Sequence, residues 1–191
     1  MRLPAGLPGP ARSSLESVLE RLPHLEGRAI RVRFLPSLKA HRGRLLHGVG
    51  HGVPVHAASF LRRRVLVLET ELLARPRELA RIFAHELSHF LWPRLGRAAR
   101  AGYESLLARE MRRGARGELG WSSERRKQRI APGDTAQRSR RWRQYVCESF
   151  CDSAAWMLAG GRHAEFTLTA RARAARRRWL EKLFAGREFF I

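Results

Sequence analysis

Leu15, Val18, Leu19 and Leu22 recur at the three- and four-residue spacing of an amphipathic helix, which Ser13 or Ser14 can cap and Pro23 stops. The period then drops to two. Ile30, Val32 and Phe34 alternate with Arg31 and Arg33, so residues 28–35 read as a half-buried strand ending near Pro36. Residues 42–60 mix Gly43, Gly48, Gly50 and Gly52 with Leu45, Leu46, Val53, Val55 and Phe60, the pattern of short strands joined by turns, and residues 65–68 read as a second clear strand. Helical spacing returns after Pro76, which suits a first helical turn, and persists until Pro93. Further helices are expected over residues 98–113, 138–158 and 164–185.

This order of helix, strands and then helices, without a repeat of solenoid period, predicts one α+β domain over residues 1–191. A small, mostly antiparallel sheet would pack on helices, followed by a helical C-terminal half. A chain of 191 residues suits one compact core and is short for two. The basic, glycine-containing stretch near residues 114–137 is expected to be a flexible, solvated segment.

Charge widens the choice of partners. A formal net charge of +21 points toward nucleic acid, an anionic membrane surface or an acidic substrate. Nearly all of it is Arg, with Lys only at 39, 127 and 182, a skew that nucleotide composition also produces. The Arg run over residues 170–178 reads as a solvated helix face able to make non-specific nucleic-acid contacts, since no recognition module accompanies it. No stretch approaches about 18 uninterrupted apolar residues, and residues 1–10 lack a signal-like apolar run. With only Cys147 and Cys151 to form disulfides, a cytoplasmic protein without membrane contact is expected.

The chemistry concentrates in His85-Glu86-Leu87-Ser88-His89. Histidines four apart on a helix project both imidazoles from one face, where they can share one Zn2+ ion. Glu86, beside the first of them, can take a proton from water without filling a coordination position. Two histidines leave a catalytic zinc one protein ligand short, and the best supply is the segment containing Cys147, Glu148, Cys151 and Asp152. Glu148 is the expected third ligand. Asp152, one turn later, is expected to hold the N–H of a ligand histidine. Glu104, Glu110 and Glu118 compete for the ligand position. Cys147 and Cys151 offer a rival, closed structural zinc site. Adjacent helical residues differ by about 100° around the axis, so one of the two pairs should face elsewhere. The cysteines continue into Ala154 and Leu158 and are assigned to the core.

His85 to His89, with Glu148 to Asp152, resembles the gluzincin branch of the zincin metallopeptidases, whose pattern is His-Glu-x-x-His and a downstream Glu-x-x-x-Asp. The resemblance implies zinc ligation by His85, His89 and Glu148, with Glu86 as general base and Asp152 orienting a ligand histidine. It further implies a zincin-like fold hydrolysing peptide or protein substrates, with an edge strand just before the motif helix, here residues 64–69. The donor for the developing oxyanion is open among Tyr103, Tyr145 and His163. His47, His51 and His56 are expected in a turn region near the cleft. The alternative is a non-catalytic basic binding protein, with nucleic acid or an acidic partner and a structural zinc site.

Overall fold

The computed structural model describes residues 1–161, 163–185 and 188–190. In chain order its elements are α1 (Gly9–Glu20), β1 (Leu25–Glu26), β2 (Arg31–Leu35), β3 (Lys39–His41), β4 (Arg44–Leu46), β5 (Val53–Pro54), β6 (Ala57–Phe60) and β7 (Val65–Glu69). There follow α2 (Pro76–Leu91), α3 (Arg97–Arg112), α4 (Trp121–Lys127), α5 (Arg140–Ala159), α6 (Ala170–Phe184) and β8 (Phe189–Phe190). The fold is α+β, with six helices and small sheets among the described residues. None of these helices is long and apolar enough to cross a membrane.

The principal sheet has the order β2-β7-β6, with β2 parallel and β6 antiparallel to β7. The expected strand over residues 64–69 is therefore central and not an edge. Its composition explains this position: every residue of Val65–Glu69 is buried, because the strand is paired on both sides, Leu66 and Leu68 face the helices, and Val65 and Val67 pack against Leu38, Leu45 and Val55. The edges are β6 and β2, and Arg2 bridges to Arg31 on the outer side of β2. The antiparallel sheet β4-β3-β5 and the parallel pair β1-β8 are separate, so the pairing is more mixed than expected.

Helix α2 forms the centre of the domain. Its apolar face, including Leu79, Phe83, Leu87 and Phe90, shares a core with Leu15 and Val18 of α1, Val32, Leu66, Leu68, and Ala154 and Leu158 of α5. Burying side chains of this size contributes roughly 1.5–3 kcal/mol each. A second core joins the end of α2 to α3, α5 and α6 through Leu91, Tyr103, Leu107, Phe150 and Leu180. Helices α2 and α5 thus pack along one another between the two cores.

Two helix starts differ from the sequence expectation. Helix α1 begins at Gly9 after Pro8, because Pro10 suits a first turn without an N–H; Ser13 and Ser14 lie inside it. Helix α6 begins at Ala170, later than residue 164, because the backbone N–H groups of Thr167 and Leu168 donate to Glu118 O and cannot be helical. Gly117 permits that approach, since a Cβ there would fall 2.3 Å from Thr167 O.

The basic stretch 114–137 contains α4 and is tied to the core. Lys127 Nζ donates to Ala115 O and Gly117 O at 2.9 and 2.8 Å, and Leu119 and Ser123 are buried. Glu118, wholly inaccessible, meets Arg176 Nη1 at 2.6 Å, and Glu110 meets Arg176 Nη2 at 2.7 Å. Arg176 is thus a core residue within a run expected to be solvated. Two carboxylates offset the cost of burying its charge.

Candidate metal centre

His85, Glu86 and His89 occupy the last turns of α2, which Pro76 starts without losing a needed hydrogen bond. Helix α5 supplies the facing residues. Ser139 caps it, accepting a hydrogen bond from Trp142 N at 3.2 Å, and the buried aromatic side chains of Trp142, Tyr145 and Phe150 anchor its first half. This packing sets Cys147, Glu148, Cys151 and Asp152 against the two histidines.

His85 Nδ1 lies 2.7 Å from Asp152 Oδ1. An ionised carboxylate only accepts, so Nδ1 carries the proton and a neutral His85 ring keeps its lone pair on Nε2. Asp152 is itself fixed, since its Oδ2 accepts the Ser123 backbone N–H at 3.0 Å. Gly120 makes room for it: a Cβ there would fall 2.3 Å from Asp152 Cγ.

His89 is oriented by sulfur. Its Nδ1 lies 3.5 Å from Cys151 Sγ and 3.8 Å from Cys147 Sγ, so a proton on Nδ1 points toward the thiols and leaves Nε2 free. The cysteines and the acidic pair therefore both reach the histidines. Coming from one helix, they do so because an imidazole has two nitrogens: on His89 the cysteines meet Nδ1 and Glu148 approaches Nε2, while both nitrogens of His85 face the acidic pair. The cysteines also pack in the core as expected, with Cys151 wholly buried.

Glu148 Oε2 stands 3.4 Å from His85 Nε2 and 3.9 Å from His89 Nε2, while Arg126 Nη2 holds Oε1 at 3.0 Å. Two imidazole nitrogens and one carboxylate oxygen match the donor set of a catalytic zinc. A second set is more compact: among the described residues of this site it is His85, His89 and Cys151 whose donor atoms, one from each, all lie within 4.8 Å of one another. Asp152 commits His85 to Nε2, and Glu148 approaches the Nε2 of both rings.

Protonation follows these contacts. Burial opposes charge on His85, but Asp152, Glu148 and Glu86 outweigh it and raise its pKa well above the ordinary histidine value. Burial likewise opposes charge on Glu148, yet His85, His89 and Arg126 hold its pKa down to about 2. Burial and the neighbouring Cys147 raise the Cys151 thiol well above its usual range, whereas the hydrogen bond with Cys151 and the neighbouring His89 lower the Cys147 thiol to about 6.

A cleft of about 400 Å³ opens on His85 and Glu86. Pro54, Val55, His56 and Ala57 line one wall, on and before β6, and Trp121 and Ser122 line another at the start of α4. Ser59 of β6 places its hydroxyl 2.6 Å from Glu86 Oε2 and 2.8 Å from Glu86 O, so its one proton is shared between carboxylate and backbone. No sequence signal marks Ser59 or Arg126, which depend on a strand and a helix far from the motif. Gly120 can be read only as a helix-start residue.

The remaining candidates lie elsewhere. Tyr103 OH meets Ser153 Oγ and Ser149 O in the core, and burial pushes its pKa up to about 12. Tyr145 OH donates to the buried Glu118. His163 lies near Glu165 N, outside the residues that line the cleft. Glu104 pairs with Arg138, and Glu110 and Glu118 with Arg176, so none of the three competes for a metal. His47 and His51 are exposed between β4 and β5, whereas His56 lines the cleft and bonds through Nδ1 to Glu69 Oε2 at 2.9 Å.

No protein-family model matches the chain, and comparisons with curated proteins and with solved structures return no significant match.

Proposed function

We propose that the protein is a zinc-dependent peptidase of zincin type, with His85, His89 and Glu148 as the metal ligands and Glu86 as the general base. The observation that carries this reading is the approach of Glu148 Oε2 to both histidine Nε2 atoms, with Glu86 on the same helix and facing the cleft. A zinc ion bound there would act as a Lewis acid, polarising the scissile carbonyl and making water more acidic.

The chain's own residues supply the rest. The free edge of β6 offers main-chain groups to an extended peptide, which would lie along the cleft wall as an added strand. Glu86 accepts a proton from the attacking water as the new C–O bond forms, then delivers it to the amine as the C–N bond breaks. Ser59 restrains the Glu86 carboxylate through its shared proton. His56 is the wall residue suited to the developing oxyanion, because Glu69 fixes its ring through Nδ1.

The closeness of Cys151 to the histidine pair favours a second reading, a closed structural zinc site without hydrolysis. Metal content and hydrolysis of unstructured peptides, measured together on Glu86→Gln, test the first reading. Zinc should stay at one per chain while turnover is lost; undiminished turnover would overturn the assigned base.

A further inference from the structure

Beside the cleft, beyond Trp121, lies a concavity of about 280 Å³ lined by Trp121, Arg125, Arg126, Arg129, Arg141 and Gln144. Trp121 lines both hollows, so they are neighbours. Their charges differ. In the cleft, Arg81 pairs with Glu165, His56 with Glu69, and His85 with Asp152. In the adjoining concavity Arg126 meets one carboxylate, Glu148, and among the described residues no carboxylate lies within ion-pair distance of Arg125, Arg129 or Arg141. Arg125 instead sits over the Trp121 ring at 5.1 Å. Trp121 is 62% exposed, so much of its indole is open to a ligand.

We propose that this concavity is an anionic subsite of the cleft, which selects substrates carrying a carboxylate, from an acidic side chain or a free C-terminus, to one side of the scissile bond. The choice of a peptide over a nucleic acid rests on shape: the arginines line one small hollow beside the cleft, whereas a phosphate backbone needs charge spaced along a track. Arginine forks suit carboxylates in two-point contacts, and the indole gives the adjoining peptide an apolar face. The substrate class rests on the peptidase reading, but the test below reads binding alone and survives failure of that reading.

Binding to the full-length Glu86→Gln protein would be followed by fluorescence anisotropy, with and without added zinc. The probes are fluorescein-labelled, alanine-based octapeptides: a C-terminal amide with two glutamates, its glutamine counterpart, and the glutamine peptide with a free carboxylate. A short single-stranded DNA is the fourth probe. At least one carboxylate peptide should bind about tenfold more tightly than the glutamine amide at low salt. Which one does so identifies the source of the carboxylate.

The preference should vanish in Arg125→Gln/Arg129→Gln and persist in the distant exposed pair Arg31→Gln/Arg33→Gln. In the protein with all four arginines it should fade with added salt, a measure independent of whether the variants fold. Equal binding of all peptides, or equal loss of preference in both double variants, would overturn the subsite. So would DNA that binds more tightly than either carboxylate peptide and is released by Arg125→Gln/Arg129→Gln.

Discussion

His85 donates from Nδ1 to Asp152 Oδ1 across 2.7 Å, and that bond exists because residue 120 has no side chain. Asp152 occupies the space a Cβ would take, and the Ser123 N–H locks its second oxygen. The two hydrogen bonds of Asp152 therefore link α2, α5 and the start of α4.

Gly120→Ala should displace Asp152 and release His85 from its tautomer. Gly120 has an extended backbone, φ −177°, so the effect is steric and not conformational. Zinc affinity should fall by about 10- to 100-fold, as expected when the partner of a ligand histidine is lost. Competition with a calibrated chelator measures it; unchanged affinity would show that Asp152 does not set the ring.

Glu148→Ala and the double variant Cys147→Ser/Cys151→Ser separate the two donor sets. Loss of zinc from the first with retention in the second is the expected pattern, read as bound metal after gel filtration. The reverse pattern would make Cys151 the third ligand and the site structural.

Without metal, the site carries a pH dependence of definite sign. His85 has a raised pKa in the folded protein, so its pairing with Asp152 and Glu148 stabilises the fold fully below the unfolded histidine value. That contribution is lost as pH rises through the raised folded value. Glu148 has a depressed pKa, so its share is present above the ordinary glutamate value and is lost as pH falls toward about 2. Zinc affinity should move oppositely to the His85 term and rise with pH, because ligation displaces the histidine protons. Denaturant melts of metal-free protein, with calorimetric zinc titrations in two buffers of different ionisation enthalpy, would show both trends. Zinc binding without proton release would contradict the assignment.

Arg176→Met should destabilise the domain by about 3–5 kcal/mol, because it leaves Glu110 and Glu118 buried without their cation. Adding Glu110→Gln and Glu118→Gln should recover part of that loss. Urea unfolding of the single and triple variants measures both steps. A single-variant loss below about 1 kcal/mol would mean that water reaches the carboxylates.

The local parts of this site are legible in the sequence because a helix has one period. Spacings of four put His85 beside His89 and Glu148 beside Asp152 whatever surrounds them. The same rule does not show that a ring can be approached at two nitrogens, which is how Cys147 and Cys151 also reach His89. Nor can it single out Arg176 among its neighbours, since burial there depends on Glu110 and Glu118 arriving from another helix and a loop.

By itself the sequence determined the elements: the period-two run at β2, the apolar strand at β7, and the helices carrying His85, Glu86, His89, Glu148 and Asp152. Local backbone geometry and side-chain spacing suffice for these. Tertiary structure decided what lies at an edge and what lies inside. Long-range pairing placed β7 in the middle of its sheet and β6 at its border, delivered Ser59 to Glu86, and folded the basic stretch 114–137 onto α5. Strand order and helix packing depend on contacts between residues distant in the chain, and no short-range pattern encodes which partner will arrive.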